Sequence, residues 1–403
     1  MKLKEYFSPA PAKEFVSQLL KAKFRFFTGV SDSTLDPILR EARRRELRGD
    51  CRLIQTNHEE IAVGIAAGHF LGSNRIPVVY LQNSGFCYAS EPIISLLSTF
   101  QIPIFLIVGW RGYDPQEETS EPHLNVGKCT TRMISSTGIA CSRPVAFQRS
   151  KTRKVAPWNV LGRLKRAITY IRKERRPRVF LMPEGTMTAE ESDNPFLPTF
   201  PSISSDRWAH TPAEAERLME AYSRQPPVPR REAVMRIIDE YQRDPRSLFV
   251  ICNGYLSRDV RAWADDTNIF YNTGFYGGSL ALGIGLALAQ PKKKIIVLDG
   301  NDNAVAGSGV LPVIEMLGVE NLHYYIFDNG VALSTGGHSS VPLSFAHFLH
   351  AKEVVRICDD KYHPSPRVPA TRVEMRRFQR RAIRSVKEKA EIMSVVGEAE
   401  AVL

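Results

Sequence analysis

Continuous apolar runs that alternate with helical patterns constrain this chain more than any other feature of its sequence. The runs cover residues 24–30, 51–56, 77–83, 102–110 and 176–182, and later 247–254, 268–274, 293–300 and 322–330. Apolar runs of this kind are typical of parallel strands covered by helices on both faces. The sequence therefore predicts an α/β fold with two domains, each a mostly parallel sheet flanked by helices.

A stretch rich in proline, serine and acidic residues, 183–230, separates the two sets of runs. This composition is typical of a linker. The predicted organisation is a first domain at residues 1–182, the linker at 183–230, a second domain at 231–365 and a basic helical tail at 366–403.

The composition, 43% hydrophobic and 24% charged, is ordinary for a globular protein. No apolar run has the length of a membrane span, and the N-terminal stretch lacks a signal-peptide core. The six cysteines form no C-x-x-C pair, which is typical of reduced thiols. We therefore expect a cytoplasmic protein with no membrane partner.

The net charge of +11 comes largely from two basic stretches, 143–178 and 367–389. Both stretches look like helices with solvated faces. Neither shows the aromatic interleaving or the zinc-ligand spacing of a nucleic-acid-binding module, although basic charge alone keeps that alternative open. The favoured interpretation is a solvated or oligomer-facing surface, with no nucleic-acid partner.

Small polar residues and glycine follow two predicted strands of the second half, at 299–302 and at 328–330. One helix and one strand fit between them, so both strand ends should lie on the same edge of the sheet. Oxygen ligands there suit a hard cation such as Mg²⁺, which would bridge to the diphosphate of an anionic cofactor. The alternative is a pair of ordinary strand-end turns.

The spacing resembles that of thiamine-diphosphate enzymes, in which a G-D-G motif precedes an Asn-Asn pair. Gly300 matches the first glycine, Asn301 the metal-binding aspartate and Asn329 the liganding asparagine, while Val331 would supply a carbonyl. The resemblance implies that Asn301, Asn329 and Val331 hold Mg²⁺. Two positions depart from the pattern: Asp302 stands where the last glycine belongs, and Asp328 replaces the first asparagine. Because Asn301 is neutral, affinity for the cation should fall unless one of these carboxylates compensates.

Further stretches resemble, in the same order, phosphonopyruvate decarboxylases and the related sulfopyruvate decarboxylases. They are residues 27–39, 57–72, 76–86, 102–112, 120–128, 253–260 and 272–289. The resemblance implies a pyrimidine-binding domain followed by a diphosphate-binding domain. It also implies that the cofactor lies between domains of different subunits, so that the protein forms a homodimer or a larger homo-oligomer.

The resemblance assigns catalytic roles in the first half. Glu59, with Glu60 as fallback, would face N1′ of the aminopyrimidine ring and so promote ylid formation; the alternative is an ordinary acidic first turn of a helix. Asp32 lies in the loop of the catalytic acid/base, and its alternative is a helix cap. His123 is a proton donor or substrate contact in a loop, and its alternative is a solvated histidine.

The resemblance also assigns contacts with the cofactor. Gly274 should offer its carbonyl to the 4′-amino group. Tyr276 should hold the cofactor bent, where the family usually has a bulky aliphatic side chain, and Gly278 stands where relatives have histidine. Asn83 and Ser84 should line the site.

The implied reaction is decarboxylation of a small anionic 2-oxo acid, most closely 3-phosphonopyruvate to phosphonoacetaldehyde and CO₂ in phosphonate biosynthesis. A substrate with a second anion requires cationic donors. The candidates are Arg111, Lys128, Arg132 and Arg258, and the sequence does not rank them. For Arg111 the alternative is an ion pair with Glu117, Glu118 or Glu121.

Three other functions remain open from the sequence. The same chemistry can act on sulfopyruvate or another 2-oxo acid. The altered positions 276 and 278 are compatible with a carboligase or acyl-transfer enzyme. Asn301 and Asp302 are compatible with a non-catalytic subunit whose cofactor site has degenerated.

Overall fold

A computed structural model describes residues 9–114, 118–144, 159–189, 209–358 and 365–384 of the chain. The chain divides into two compact units: unit 1 comprises residues 1–70 and 75–201, and unit 2 comprises residues 71–74 and 202–403. Each unit contains a six-stranded sheet in which every pair of neighbouring strands is parallel. The predicted α/β class, with helices flanking parallel sheets, is confirmed.

The sheet of unit 1 is built from strands that are almost entirely buried at its centre. Its strands are β2 (Phe26–Gly29), β3 (Arg52–Gln55), β4 (Val78–Gln82), β5 (Phe105–Trp110), β6 (Ala140–Ser142) and β7 (Arg178–Pro183). They lie in the order β3-β2-β4-β5-β7-β6. Two short strands, β1 (Ala10–Pro11) and β8 (Met187–Thr188), form a separate parallel pair.

Six helices belong largely to unit 1: α1 (Ala12–Lys21), α2 (Asp36–Leu47), α3 (Glu59–Ser73), α4 (Gly85–Pro92), α5 (Glu121–Ser136) and α6 (Val160–Glu174). Helices α1 and α6 pack their apolar faces on the sheet, in a core that includes Phe15 and Leu164. The Phe15 ring meets that of Phe180 on β7 edge to face, with centroids 5.8 Å apart. Burial of these large apolar side chains holds the sheet and its strand-end loops in place.

The sheet of unit 2 repeats this plan. Its strands are β9 (Val228–Pro229), β10 (Ser247–Ile251), β11 (Ile269–Tyr271), β12 (Lys294–Gly300), β13 (Leu322–Asp328) and β16 (Glu353–Cys358). They lie in the order β11-β10-β12-β13-β16-β9. A short antiparallel pair, β14 (Val331–Ala332) and β15 (His338–Ser339), follows β13 in the chain.

The helices of unit 2 are α7 (Pro212–Arg224), α8 (Arg230–Gln242), α9 (Tyr255–Ala264), α10 (Ser279–Ala289), α11 (Asn301–Ala306), α12 (Leu311–Leu317), α13 (Phe345–His350) and α14 (Arg372–Ile383). Helix α10 is buried along most of its length. A Cβ atom at Gly283 would lie 2.4 Å from the Val297 side chain on β12, so glycine is needed for this close approach. The small residues of α10 therefore let it lie directly on the sheet.

The segment 183–230, predicted as a linker, contributes elements to both units. Strand β8 pairs with β1 in unit 1, whereas α7 and β9 belong to unit 2. The prolines of this segment suggested irregular structure, but two of them lie in regular elements at positions that tolerate proline. Pro212 occupies the first turn of α7, where a missing N–H costs no helical hydrogen bond, and Pro229 lies on the edge strand β9, where proline is tolerated. Residues 190–208 lie outside the described part of the chain.

The described part of the predicted C-terminal tail contains helix α14, which is not wholly solvated. Phe378 is buried, and its ring centroid lies 5.5 Å from that of Phe270. The Lys293 ammonium donates to the backbone carbonyls of Arg381, Ala382 and Arg384 and so caps the end of the helix. Across the described residues, no helix combines the length and the apolar character needed to cross a bilayer.

Candidate functional site

The carboxyl edge of the unit 1 sheet brings together most of the residues predicted for catalysis. Glu59 follows β3, Asp32 follows β2, Asn83 follows β4 and Arg111 follows β5. These strands are neighbours in the order β3-β2-β4-β5, so their loops are adjacent along one edge. In parallel α/β sheets this edge is where ligands bind.

Glu59 is the first residue of α3, and its carboxyl group lies against Gly85, the first residue of α4. A Cβ atom at position 85 would lie 2.0 Å from Glu59 Oε1, so a larger residue there would displace the carboxyl group. The fallback candidate, Glu60, instead lies 3.6 Å from His58 Nδ1, and burial raises its pKa. The contact with the loop that follows β4 distinguishes Glu59 from Glu60.

Asp32 is 5% exposed and lies behind β5, where a Cβ atom at Gly109 would come within 1.8 Å of its Oδ2. Burial raises the pKa of this carboxyl group above its ordinary 3.8, while the Thr34 backbone N–H and then the charge of Arg111 oppose the shift. The carboxyl group meets no geometric criterion for a capping hydrogen bond to the 3₁₀ turn Ser33–Leu35, although the Thr34 N–H acts on it. Asp32 is therefore a buried acid at the sheet edge that also faces the start of this turn, as the helix-cap alternative requires.

Asn83 is fully buried, and its amide bonds inside unit 1. Its Nδ2 donates to the Arg111 carbonyl at 3.0 Å and to Thr130 Oγ1 at 2.8 Å, while Oδ1 accepts from the Arg111 N–H at 3.2 Å. Asn83 therefore positions the loop after β5, and its predicted place in the lining of the cofactor site stays a prediction. The neighbouring Ser84 accepts a hydrogen bond from Gln82.

His123 lies in the first turn of helix α5, so the predicted loop at 120–128 is wrong. The sequence contained the signal, since Ser120 at the N-cap followed by Pro122 is a helix-start pattern. His123 Nδ1 lies 3.5 Å from Glu118 Oε1 and its side chain is 31% exposed. Lys128 is on the exposed face of the same helix.

Arg111 pairs with a carboxylate that the sequence analysis did not consider. Its Nη1 lies 2.9 Å from Oε2 of Glu184, which follows β7, and its Nη2 donates to Ser33 Oγ at 2.6 Å. The predicted partners were close in sequence; of these, Glu117 lies outside the described residues. The pair with Glu184 arises because β5 and β7 are neighbours in the sheet.

The carboxyl edge of the unit 2 sheet holds an open cavity of about 480 Å³, including its mouth. Among its lining residues are all five that the motif predicted, namely Gly300, Asn301, Asp302, Asn329 and Val331. Gly254, at the start of α9, lies in the same cavity and has a φ of 88°. Such a backbone conformation favours glycine and exposes peptide N–H groups to a ligand.

Asn301 is the clearest sign that this cavity is built for a ligand. The residue is 5% exposed, and its Nδ2 has no hydrogen-bond partner within the described ranges. A buried amide without a partner is costly, and rotation of the amide by half a turn would present its oxygen instead. A phosphate oxygen or a metal ion would satisfy it, so the residues present fit a diphosphate group with its cation.

The two carboxylates expected to compensate for the neutral Asn301 have different surroundings. Both carboxylate oxygens of Asp328 already accept hydrogen bonds within the protein. The Tyr222 hydroxyl on α7 donates to Oδ2, and the Gly330 N–H donates to Oδ1 at 2.7 Å. Asp302 lines the cavity. Across the parts of the chain that the structure covers, no three His, Cys, Asp or Glu side chains are placed to hold a metal by themselves.

The residues predicted for the coenzyme's ring lie close to cavity residues. The Tyr276 hydroxyl donates to the Asp302 carbonyl at 3.1 Å, and Tyr276 is 51% exposed. The Gly274 carbonyl accepts from Asn253 Nδ2 at 3.5 Å. Asn253 lines the cavity and was missed as a site residue, although it belongs to a stretch that resembles the family.

A buried polar group beneath this cavity was also missed. Asp299 is 1% exposed and accepts a hydrogen bond from the Tyr324 hydroxyl at 3.2 Å. Burial raises the pKa of Asp299 to about 7. Next to it, Cys252 Sγ accepts from the Gly300 N–H at 3.3 Å and so fixes the glycine that opens the motif.

Comparison with known proteins agrees with this geometry. Residues 12–128 match the family described as thiamine pyrophosphate enzyme, N-terminal TPP binding domain. The fold is similar to that of the thiamine diphosphate-dependent 4-hydroxybenzoylformate decarboxylase of Rhodococcus jostii, with a TM-score of 0.54, 14% identity and coverage of 84% of this chain and 92% of that chain. The first part of the chain is thus similar in sequence to thiamine pyrophosphate enzymes, and the fold is similar to that of a thiamine diphosphate-dependent enzyme.

Several decarboxylases are similar to this chain over more of its length than the N-terminal domain alone. The chain is 27% identical over 291 residues to a phosphonopyruvate decarboxylase of Streptomyces viridochromogenes, a match that covers 72% of this chain and 67% of that protein. It is 24% identical over 297 residues to a sulfopyruvate decarboxylase of Methanosarcina acetivorans, covering 72% and 70%. A sulfopyruvate decarboxylase subunit beta of Methanothermobacter thermautotrophicus is 29% identical over 134 residues, covering 32% and 70%. Over about 72% of its length the chain is therefore similar to phosphonopyruvate and sulfopyruvate decarboxylases.

Proposed function

We propose that this protein decarboxylates a 2-oxo acid that carries a second anion next to the keto group. The first candidate substrate is 3-phosphonopyruvate, which would give phosphonoacetaldehyde and CO₂ in phosphonate biosynthesis. The observation that carries this proposal is the convergence of Glu59, Asp32 and Arg111 on one carboxyl edge of the unit 1 sheet. Such a site combines a base, a buried acid and a cation, which are the groups that this substrate requires.

The proposed cofactors are thiamine diphosphate and Mg²⁺. Asn301 and Asn329 would hold the cation through their side chains and Val331 through its carbonyl, with the Asp302 carboxylate nearby in the same cavity. The Gly274 carbonyl would accept from the coenzyme's 4′-amino group, and Tyr276 would support the bent ring system. When bound, the coenzyme supplies the electron sink that decarboxylation needs.

The protein's own part of the chemistry is the control of protons. Glu59 would hold a proton at N1′ of the aminopyrimidine ring. Asp32, whose pKa burial raises, lies at the sheet edge where it would deliver a proton to the product carbon. His123 lies beside Glu118 at the start of α5 and is a second candidate for substrate contact or proton transfer.

The proposed assembly is a homodimer or a larger homo-oligomer. A relative that exists as a separate beta subunit supports an assembled enzyme, and the family resemblance supports sites between subunits. Light scattering of the purified protein would measure the assembly. A monomer at micromolar concentration that nevertheless turns over substrate would contradict the proposal.

The test of function is a calorimetric titration with thiamine diphosphate and Mg²⁺, followed by measurement of CO₂ release from 3-phosphonopyruvate. Glu59→Gln should abolish turnover while largely preserving coenzyme binding, because only proton transfer at N1′ is removed. Glu60→Gln is the matched comparison and should retain most turnover. If Glu59→Gln retains turnover, Glu59 is not the residue that transfers the proton at N1′. If the protein does not bind the coenzyme at saturating Mg²⁺, the proposal is refuted.

Three alternatives are separated by the same assays. Product analysis with sulfopyruvate tests whether the second anion of the substrate is a sulfonate instead of a phosphonate. Turnover with acceptor aldehydes would reveal a carboligase. The observation that favours a carboligase is the exposed side chain of Tyr276. A non-catalytic subunit, favoured by the neutral Asn301, would bind coenzyme weakly and release no CO₂ from any of these acids.

A further inference from the structure

The guanidinium of Arg111 meets the hydroxyl of Ser33 at the carboxyl edge of the unit 1 sheet. Nη1 of Arg111 meets Oε2 of Glu184 at 2.9 Å, and Nη2 donates to Ser33 Oγ at 2.6 Å. The Arg111 Nε–H is buried and has no hydrogen-bond partner within the described residues. The guanidinium therefore retains unused donor capacity beside an anion that it already holds.

The backbone of Arg111 is held in place by hydrogen bonds, as a specific anion site requires. The two hydrogen bonds between Asn83 and the Arg111 backbone, at 3.0 and 3.2 Å, clamp the residue at the end of β5. Asn83 is in turn bonded to Thr130 on α5, and both residues are fully buried. Because the backbone cannot shift, the direction of the side chain is set by the fold.

Glu184, by contrast, is easily displaced. Its side chain is 67% exposed, and it is followed by Gly185, whose φ of 77° marks a turn after β7. An ion pair with an exposed carboxylate contributes little to stability, so a competing anion loses little by replacing it. Glu184 therefore occupies the guanidinium in the way that an external anion would.

We infer that Arg111 and Ser33 bind the second anion of the substrate, a phosphonate or sulfonate, and that this anion displaces Glu184. This inference rests on the proposed decarboxylase function and deepens it. A guanidinium with a neighbouring hydroxyl suits a tetrahedral oxyanion, to which it can donate several charge-assisted hydrogen bonds. Asp32 immediately precedes Ser33, so an anion held here would lie beside the buried acid.

The structure also ranks the cations that the sequence left equal. Lys128 is on the exposed face of α5, and Arg258 belongs to unit 2, where its guanidinium lies 5.1 Å from the Tyr255 ring centroid. Arg111 combines a fixed backbone, a buried unused donor and a replaceable carboxylate. It is therefore the specificity-determining residue of this proposal.

The first test measures binding without turnover. Phosphonoacetate, which carries a carboxylate and a phosphonate but no keto group, is titrated calorimetrically into the protein with thiamine diphosphate and Mg²⁺ present. Arg111→Met should weaken binding about 100-fold, because charge-assisted hydrogen bonds are lost, and Arg111→Lys should weaken it less. Glu184→Gln should tighten binding about threefold, since the competing carboxylate is removed.

Arg40→Met is the matched control. Arg40 Nε also pairs with a carboxylate, Asp36 Oδ2, at 2.7 Å, but on the surface of α2. This variant should bind phosphonoacetate as the unaltered protein does. Equal affinity in Arg111→Met and unaltered protein would overturn the inference. So would weaker binding in Glu184→Gln, because the pair would then be part of the architecture and not a replaceable contact.

A kinetic measurement separates this inference from the proposed function. The ratio of kcat/KM for 3-phosphonopyruvate to kcat/KM for pyruvate, which lacks the second anion, should fall at least tenfold in Arg111→Met. An unchanged ratio would refute the anion site while leaving decarboxylation intact. If no 2-oxo acid is turned over but phosphonoacetate binding still depends on Arg111, the anion site stands and the decarboxylase proposal fails.

Discussion

Replacing Asp299 by asparagine should stabilise the protein above neutral pH. Asp299 is 1% exposed at the end of β12, and burial raises its pKa from 3.8 to about 7. Tyr324 donates to Oδ2 at 3.2 Å, whereas Oδ1 has no hydrogen-bond partner within the described residues. Asparagine keeps the shape of the side chain and removes the charge that this environment opposes.

The magnitude follows from the two pKa values. An acid whose pKa is higher in the folded state contributes stability that is present below pH 3.8 and is lost as the pH rises through about 7. The separation corresponds to about 4 kcal/mol over the full range. About 3 kcal/mol of this loss falls between pH 5 and pH 8.

Urea unfolding without coenzyme or metal, at pH 5 and pH 8, measures this effect. The difference in free energy of unfolding between Asp299→Asn and the unaltered protein should grow by about 3 kcal/mol between the two pH values. Asp239→Asn, on the exposed side of α8, is the matched control and should show no such growth. A difference that is equal at both pH values would refute the reasoning, because Asp299 would then be ionised throughout.

Three further predictions concern other parts of the chain. Gly85→Ala should displace the Glu59 carboxyl group and lower kcat about 100-fold with an unchanged circular dichroism spectrum; unchanged kcat would show that the close contact is not needed. Asn301→Asp should tighten Mg²⁺ binding about tenfold in the presence of coenzyme, because a carboxylate attracts the cation where an amide does not; weaker binding in the titration would contradict the proposed ligand. Lys293→Met should speed amide hydrogen exchange in residues 371–384, since the carbonyls at the end of α14 lose their shared donor; exchange that stays slow would mean that apolar packing alone holds the helix.

Nine strands of the two six-stranded sheets could be predicted from the sequence because each is an apolar run bounded by turns, whereas β6, β9 and β16 were not predicted. The run at 102–110 became β5 only from Phe105, since Pro103 lacks the N–H that a central strand must donate. Strand β16 was not predicted, because Glu353 and Arg356 interrupt its apolar character. Its partly exposed residues lie near the sheet edge, next to β9, where charged side chains reach solvent.

The part of the candidate site that lies within a sequence motif could be predicted, and the contacts between distant residues could not. Asn301 and Asn329 share a cavity, as their spacing at two strand ends suggested. The pairing of Arg111 with Glu184 could not be predicted, since it depends on β5 and β7 being neighbours, while three other glutamates lie closer in sequence. Burial of Asn83 within its own unit likewise depends on contacts with α5.

The hydrogen bond between Tyr222 and Asp328 ties helix α7 to the turn that carries Asn329. That helix comes from the stretch of chain joining the two halves, so this hydrogen bond connects the joining stretch to Asn329, the proposed cation ligand. An engineered gene that splits the protein into two polypeptides should therefore cut upstream of Thr211. A break downstream of Arg224 would place α7 and Asn329 on different polypeptides, so the proposed coenzyme site should bind its ligand more weakly.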